Sequence, residues 1–151
     1  MEILASLGFF QYEISNFSRP GMQSRHNLRY WNADPFLGFG PAAYSDFEGV
    51  RFGNRADPVS YAEGRIETES SETPDAEARR QEYVMLRMRL SAGVEHAAYA
   101  ARFGRSLERD FGARLAPYVS MGLVLRREEG YAFTPEGMYV SNRILSDILD
   151  L

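Results

Sequence analysis

Within residues 26–31 the chain places an imidazole, a carboxamide, a phenol and an indole, on His26, Asn27, Tyr30 and Trp31. A neutral imidazole can ligate a metal, and the two aromatic side chains offer flat apolar faces beside it. On a helix His26 and Tyr30 share a face. The same residue types also fit plain structure, with His26 hydrogen-bonded to lock the turn after Pro20-Gly21, Asn27 as a turn or cap residue, and Tyr30 and Trp31 as core. Downstream, Gly38 and Gly40 either let the backbone approach a flat ligand closely or mark a bulge or tight packing. Glu13 either points into a site or is a solvated or arginine-paired carboxylate.

Other chemistry is excluded by composition. The chain has no cysteine, which rules out disulfides, thiolate nucleophiles, thiolate zinc sites and cysteine-ligated iron–sulfur clusters within it. It also has no lysine, so Schiff-base and lysine-base chemistry are excluded. The formal charge is -4, and residues 1–74 hold 6 Arg against 10 Asp and Glu whereas residues 75–151 hold 11 of each. Neither half has the positive surplus that binding to nucleic acid needs. No signal-peptide pattern opens the sequence and no apolar run reaches the roughly 20 residues that span a bilayer, so a cytoplasmic protein is expected.

The elements that position these residues follow from periodicity and caps. Glu2 to Leu7 reads as a short helix closed by Gly8, Gln11 to Ser15 as a strand, and Ser18 to Gly21 as a turn. Ser24 caps a short helix carrying His26 to Trp31, which Asp34-Pro35 ends; Phe36 to Ala43 follows as a glycine-rich strand. An irregular hairpin is expected over Asp46 to Arg55 and a short helix over Pro58 to Glu63. Glu67 to Pro74 is polar and short-chained, and reads as a linker between a unit at 1–66 and a unit at 75–151. In the second unit Thr73 as cap and Pro74 at the first helical position start a helix with Tyr83, Leu86 and Leu90 inward, stopped by Gly93. A helix from Glu95 to Phe103 precedes a region bearing Leu107, Phe111, Leu115 and Val119, with Gly112 and Pro117 breaking or bending it. Two short strands flank Glu128-Glu129-Gly130, and Thr134-Pro135 starts a last helix with Ile144, Leu145, Ile148 and Leu149 inward. That order is a winged-helix order within an α+β chain.

Tyr12-Glu-Ile-Ser-Asn-Phe17 with Pro20-Gly21, Arg25-His-Asn-Leu-Arg-Tyr-Trp31, and Leu37-Gly-Phe-Gly-Pro41 through Ser45 resemble the end of the barrel in the HemW-type, coproporphyrinogen oxidase-like family of radical S-adenosylmethionine (SAM) proteins. Residues 75–151, with the Arg102-Phe103-Gly104 corner, Met121-Gly-Leu-Val124 and Phe133-Thr-Pro135, are similar to that family's C-terminal domain. The resemblance implies a partial radical-SAM barrel over 1–66 followed by a winged-helix-like domain. In the family His-Asn-x-x-Tyr-Trp separates haem chaperones from true oxidases, and this implies haem binding by His26, Asn27, Tyr30 and Trp31, with His26 as the metal ligand. It further implies that Ser18, Gly38, Gly40 and Tyr44 lie near S-adenosylmethionine. The sequence departs from the family at Ser18, where alanine is usual, and at Ala42 and Tyr44, where Gly and His are common. The cysteine triad that holds a 4Fe-4S cluster in the family would lie before Met1, so no radical activity is expected of this chain alone.

Three function classes follow. The resemblance favours part of a haem-binding chaperone, with haem, the N-terminal half of the barrel and a haem-accepting protein as partners. The second is part of an oxygen-independent coproporphyrinogen III oxidase. The third is a winged-helix interaction module, for which Arg102, Arg105, Arg109 and Arg114 are the candidate surface; Glu108 and Asp110 balance them, so nucleic acid is not the expected partner. An incomplete barrel would leave strand edges and apolar faces uncovered, through which the chain could form a homodimer.

Overall fold

The structure, a computed structural model, describes residues 2–149. Its first half is a series of small elements. Helix α1 (Glu2–Ser6) leads to the antiparallel pair β1 (Phe10–Gln11) and β2 (Phe17–Ser18), in which Phe10 faces Ser18. Ser24 then caps α2 (Arg25–Trp31), its hydroxyl accepting the Asn27 N–H at 3.3 Å. Strands β3 (Tyr44–Phe47) and β4 (Val50–Asn54) form a hairpin. Both turn residues, Glu48 and Gly49, have positive φ, 51° and 83°, the twist that a two-residue hairpin turn favours. Asp57 caps α3 (Pro58–Ala62), and β5 (Thr68–Glu72) pairs antiparallel with the other edge of β4.

Three expectations are corrected here. The stretch read as a linker is a strand, β5; all five of its side chains are exposed, so it has no apolar periodicity, and backbone pairing with β4 together with ion pairs from Arg51 to Glu72 (3.0 Å) and Arg55 to Glu67 (2.7 Å) orders it. Phe36 to Ala43 is not a strand beyond one bridge between Phe36 and Asp46. The left-handed backbone at Gly40 and Ala42, with φ of 118° and 59°, breaks extension on either side of Pro41, which also lacks an N–H. The strand read over Gln11 to Ser15 shortens to Phe10–Gln11, with Glu13 bridging singly to Leu90.

The second half starts with α4 (Ala76–Arg87), capped by Asp75, whose carboxylate accepts the Ala78 N–H at 2.8 Å. Thr73 is therefore not the cap; an aspartate next to the first helical residue does the same work. Strand β6 (Val94–Glu95) and α5 (His96–Phe103) follow, α5 closing on Gly104 in the left-handed region. A wide π-helical turn, Glu108–Gly112, runs straight into α6 (Ala113–Ser120), which continues through Pro117. Gly112 suits that turn, since a Cβ there would lie 2.7 Å from Glu108 Oε1. Strands β7 (Val124–Arg126) and β8 (Gly130–Phe133) complete a three-stranded antiparallel sheet with β8 in the middle. The last expected helix is two, α7 (Pro135–Tyr139) and α8 (Ser141–Leu149).

The core is one-sided. Among the described residues every fully buried large hydrophobic side chain lies between Tyr83 and Leu149, each contributing about 1.5–3 kcal/mol by its removal from water. The first half has no such core; Ile14 and Ala33 pack against that of the second, and polar contacts add to the mooring. Tyr12 O and Gln11 O accept from the Ser91 N–H (3.0 Å) and hydroxyl (2.8 Å). Arg79 pairs with Asp46, and Arg51 with Glu82.

Two predictions test this half. A Cβ at Gly93 (φ 76°) would lie 2.0 Å from Tyr131 O; Gly93→Ala is expected to lower stability by about 3 kcal/mol in urea unfolding, and a neutral result would contradict the packing of β8 on this turn. The Arg105 guanidinium, which donates to Asp110 at 2.7 and 2.8 Å, and the Tyr99 hydroxyl hold the Asp110 carboxyl down at about 2. Against about 3.9 in an unfolded chain, the carboxylate stabilises the fold fully above about pH 4, and that contribution is lost as pH falls through about 2. Asp110→Asn is expected to flatten this acid limb of the urea midpoint between pH 5 and pH 2; an unchanged limb would assign it to other carboxylates.

Candidate functional site

The seven residues of α2 are too few for a stable isolated helix, so its ends are fixed from outside. Ser24 starts it. After Trp31 the chain closes with the Ala33 N–H on Tyr30 O and the Asp34 N–H on Arg29 O, both 2.9 Å, and Ala33 sits in the left-handed region at φ 51°. Pro35 then prevents continuation.

The spacing of the motif divides it between two clefts. His26 and Tyr30 are one helical turn apart, as are Asn27 and Trp31, so each pair shares a face. The His26 ring stands edge-on to Tyr30 at 5.0 Å, and Tyr30 edge-on to Phe36 at 4.7 Å. His26 is exposed and makes no hydrogen bond among the described residues. It therefore does not lock the turn after Pro20-Gly21. It stands at a cleft of about 370 Å³ lined also by Arg29, Phe36, Leu37, Phe39 and Phe47. Phe39 is 85% exposed and stands beside Phe36, Leu37 and Phe47 in one apolar patch, the kind of contiguous surface that marks a binding site. Asn27 and Trp31 face a second cleft of about 310 Å³ closed by Glu13 to Asn16, and Tyr30 lines both clefts.

Glu13 is neither solvated nor paired with arginine. It is 1% exposed, accepts the Ser15 N–H at 3.0 Å, and takes a short hydrogen bond from the Asn16 carboxamide. These partners from its own turn compensate the burial of a carboxylate.

Ser18, Gly38, Gly40 and Tyr44 line neither cleft beside α2. Ser18 is buried in β2. The Gly38 N–H donates to Ser45 Oγ at 3.0 Å, and a Cβ on Gly38 would lie 2.1 Å from Tyr44 O. Gly40 donates to Tyr61 Oη and accepts from Asn54 Nδ2, both at 3.0 Å. Tyr44 lays its ring across Gly53, where a Cβ would meet it at 3.0 Å. In this arrangement Gly38 serves close packing of backbone on backbone, and Gly40 supplies a left-handed backbone at φ 118° in open space.

A single imidazole at the mouth of an aromatic cleft, with the Arg29 cation on its rim, suits a flat, apolar, acid-bearing metal complex such as haem, which asks the protein for one axial nitrogen and apolar walls. Among the described residues no three His, Cys, Asp or Glu side chains gather as ligands for a bare ion. Sequence reading found the motif and missed the walls Phe36, Leu37, Phe39 and Phe47. The apolar run Pro35-Phe-Leu-Gly-Phe39 directly after the helix was the available signal.

Residues 75–140 match the model of the HemN C-terminal domain. The chain is 32% identical over 154 aligned residues to the protein named heme chaperone HemW of Bacillus subtilis, covering 99% of this chain and 40% of that protein. The HemW of Escherichia coli is 26% identical, over 95% of this chain and 39% of its own length. A 45-residue stretch is 49% identical to the mouse protein named radical S-adenosyl methionine domain-containing protein 1, mitochondrial, covering 30% of this chain and 10% of that one. Among solved structures, the radical SAM coproporphyrinogen III oxidase HemN of Escherichia coli superposes with a TM-score of 0.71 at 16% identity, over 97% of this chain and 38% of its own. The chain thus spans about 40% of the length of the first curated relatives it matches. Residues 75–140 match the HemN C-terminal domain, and the chain is homologous to the C-terminal portion of HemW and HemN-like radical SAM proteins.

Proposed function

We propose that this chain carries the haem-holding surface of a HemW-type chaperone, with His26 as axial ligand and Tyr30, Phe36, Phe39 and Phe47 as walls for the macrocycle. The single observation that supports it is the His26 imidazole, exposed and free of hydrogen bonds among the described residues, at the mouth of an aromatic cleft. Arg29 on the same rim would meet a propionate. Asn27 and Trp31 face the second cleft, where they brace the helix against the Glu13 turn. In this reading haem is the cargo. S-adenosylmethionine and a 4Fe-4S cluster belong to the complete family member, and any approach of Ser18, Gly38, Gly40 and Tyr44 to the former would need groups contributed by the rest of the protein.

The remaining architecture is read in the same way. The order α4, β6, α5, α6, β7, β8 is that of a winged helix, with β7 and β8 as the wing. Residues 2–66 lie within the 97% of the chain that superposes on HemN, and we read them as the closing segment of a barrel. Ile3, Leu7 and Phe10 are exposed apolar side chains that such a barrel, or a second copy of the chain, would cover. No helix of the described residues is long and apolar enough to cross a membrane, and we infer a cytoplasmic setting. The oxidase reading has fold similarity behind it and no feature of the His26 cleft.

Hemin titration of the full chain tests the proposal. An imidazole-ligated Soret band is expected, with His26→Ala losing the band and weakening affinity at least tenfold, about 1.4 kcal/mol. Phe39→Ser is expected to weaken hemin while keeping the ligated band. Identical spectra for the parent and His26→Ala would end the assignment of His26.

A further inference from the structure

Arg102 belongs to the Arg102-Phe103-Gly104 corner, which the haem site leaves unexplained, and it reaches across to the end of the motif helix. Its Nη1 donates to Asn32 O at 3.1 Å and its Nη2 to Ala33 O at 2.5 Å. These are carbonyls of the terminus of α2, where a helix leaves acceptors unfilled and carries partial negative charge. The guanidinium is held from behind, 5.2 Å from the Tyr83 ring centre and 5.9 Å from that of Phe103, and Tyr83 belongs to the buried core. A second arginine supports the same point: Arg87 Nη1 donates to Asn32 Oδ1 at 2.5 Å, and its Nη2 lies 3.6 Å from Glu95.

Two further facts indicate what this contact does. Ala33 has φ 51°, a conformation that glycine adopts freely and alanine only against steric cost. Its carbonyl is the one that Arg102 holds at the shorter distance. In addition, α2 has seven residues, too few for a stable helix alone, and Asn27, Leu28 and Trp31 are only half-buried, so its pitch and rotation need a further hold. Arginine suits the task better than lysine, since its planar fork can engage two carbonyls at once.

We propose that Arg102, supported by Arg87, is a positioning residue for the haem ligand: it clamps the C-terminal end of α2 and thereby sets the rotation that presents His26 to one cleft and Trp31 to the other. The corner is then the means by which the HemN C-terminal domain controls the geometry of a site to which it contributes no wall. This inference rests on the haem reading for its consequence and on the contacts alone for the clamp.

The test uses the full chain and separates the two. In Arg102→Met, which keeps the apolar stem on Tyr83, amide hydrogen exchange at Asn32, Ala33 and Asp34 is expected to quicken at least tenfold, with α4 and α5 within twofold of the parent. Emission from Trp31, the chain's single tryptophan, is expected to shift to the red. Arg102→Lys should fall between the two, and Ala33→Gly added to Arg102→Met should recover protection by removing the strain. If Arg102→Met unfolds α4 and α5 as well, Arg102→Lys decides by the same amides. Unchanged exchange at 32–34 overturns the clamp. With hemin, Arg102→Met is expected to bind at least fivefold more weakly with a diminished imidazole-ligated band, while His26→Ala loses the band with α2 protection intact. Hemin binding unchanged in Arg102→Met but lost in His26→Ala overturns the positioning role. Hemin binding indifferent to His26→Ala overturns the haem reading and leaves the exchange result to decide the clamp.

Discussion

The first 66 residues have no apolar interior of their own. Among the described residues no large hydrophobic side chain before Tyr83 is fully buried, and the buried groups there include Glu13, Ser18 and Ser45. A segment in that position takes its shape from what it leans on, because hydrogen bonds and surface ion pairs each contribute only about 1 kcal/mol or less net. The packed unit from Tyr83 to Leu149 supplies the support. Arginines from α4 and α5 carry much of the connection, reaching Asp46, Asn32 and the backbone after α2. The site depends on this arrangement, since the helix that bears His26 is held at one end by a serine cap and at the other by the neighbouring half.

How much of this could be read from the sequence depended on whether a residue's role was local. Ser24 as a cap and the inward stripe Ile144, Leu145, Ile148 and Leu149 are local signals, and the structure has both. The Thr73 cap was two residues out because Asp75 competes for the same role with the same chemistry. β5 could not be read from composition, since a strand exposed on both faces has no hydrophobic alternation. The glycine-rich run at 36–43 looked extended because periodicity does not report the positive φ that Gly40 and Ala42 adopt.

The candidate site was legible in part for the same reason. The spacing of His26, Asn27, Tyr30 and Trp31 gave the two helix faces directly. It could not give the whole of the wall beside one of them, because Phe47 is brought near His26 by the hairpin of β3 and β4 and not by sequence proximity. The burial of Glu13 has no signal in the sequence, because burial of a carboxylate is rare without a cation. Here the backbone amide of Ser15 and the Asn16 side chain, both within three residues, replace water around it. Arg102 was recognised as part of a corner, but its partners lie about seventy positions away.

The disguised strand also bears on how copies of this molecule behave in solution. β5 is an outer strand of its sheet, with β4 on one side only. An open edge of this kind invites a neighbour to add its own strand, the first step towards clumping. Glu69 and Glu72 lie on that edge and Glu67 just before it, with Ser and Thr between them. Glu67 and Glu72 are paired with Arg55 and Arg51, so two such edges brought together would set Glu69 against its copy and would have to desolvate those ion pairs. The polarity that hid the strand from a reader of the sequence also keeps it from templating growth.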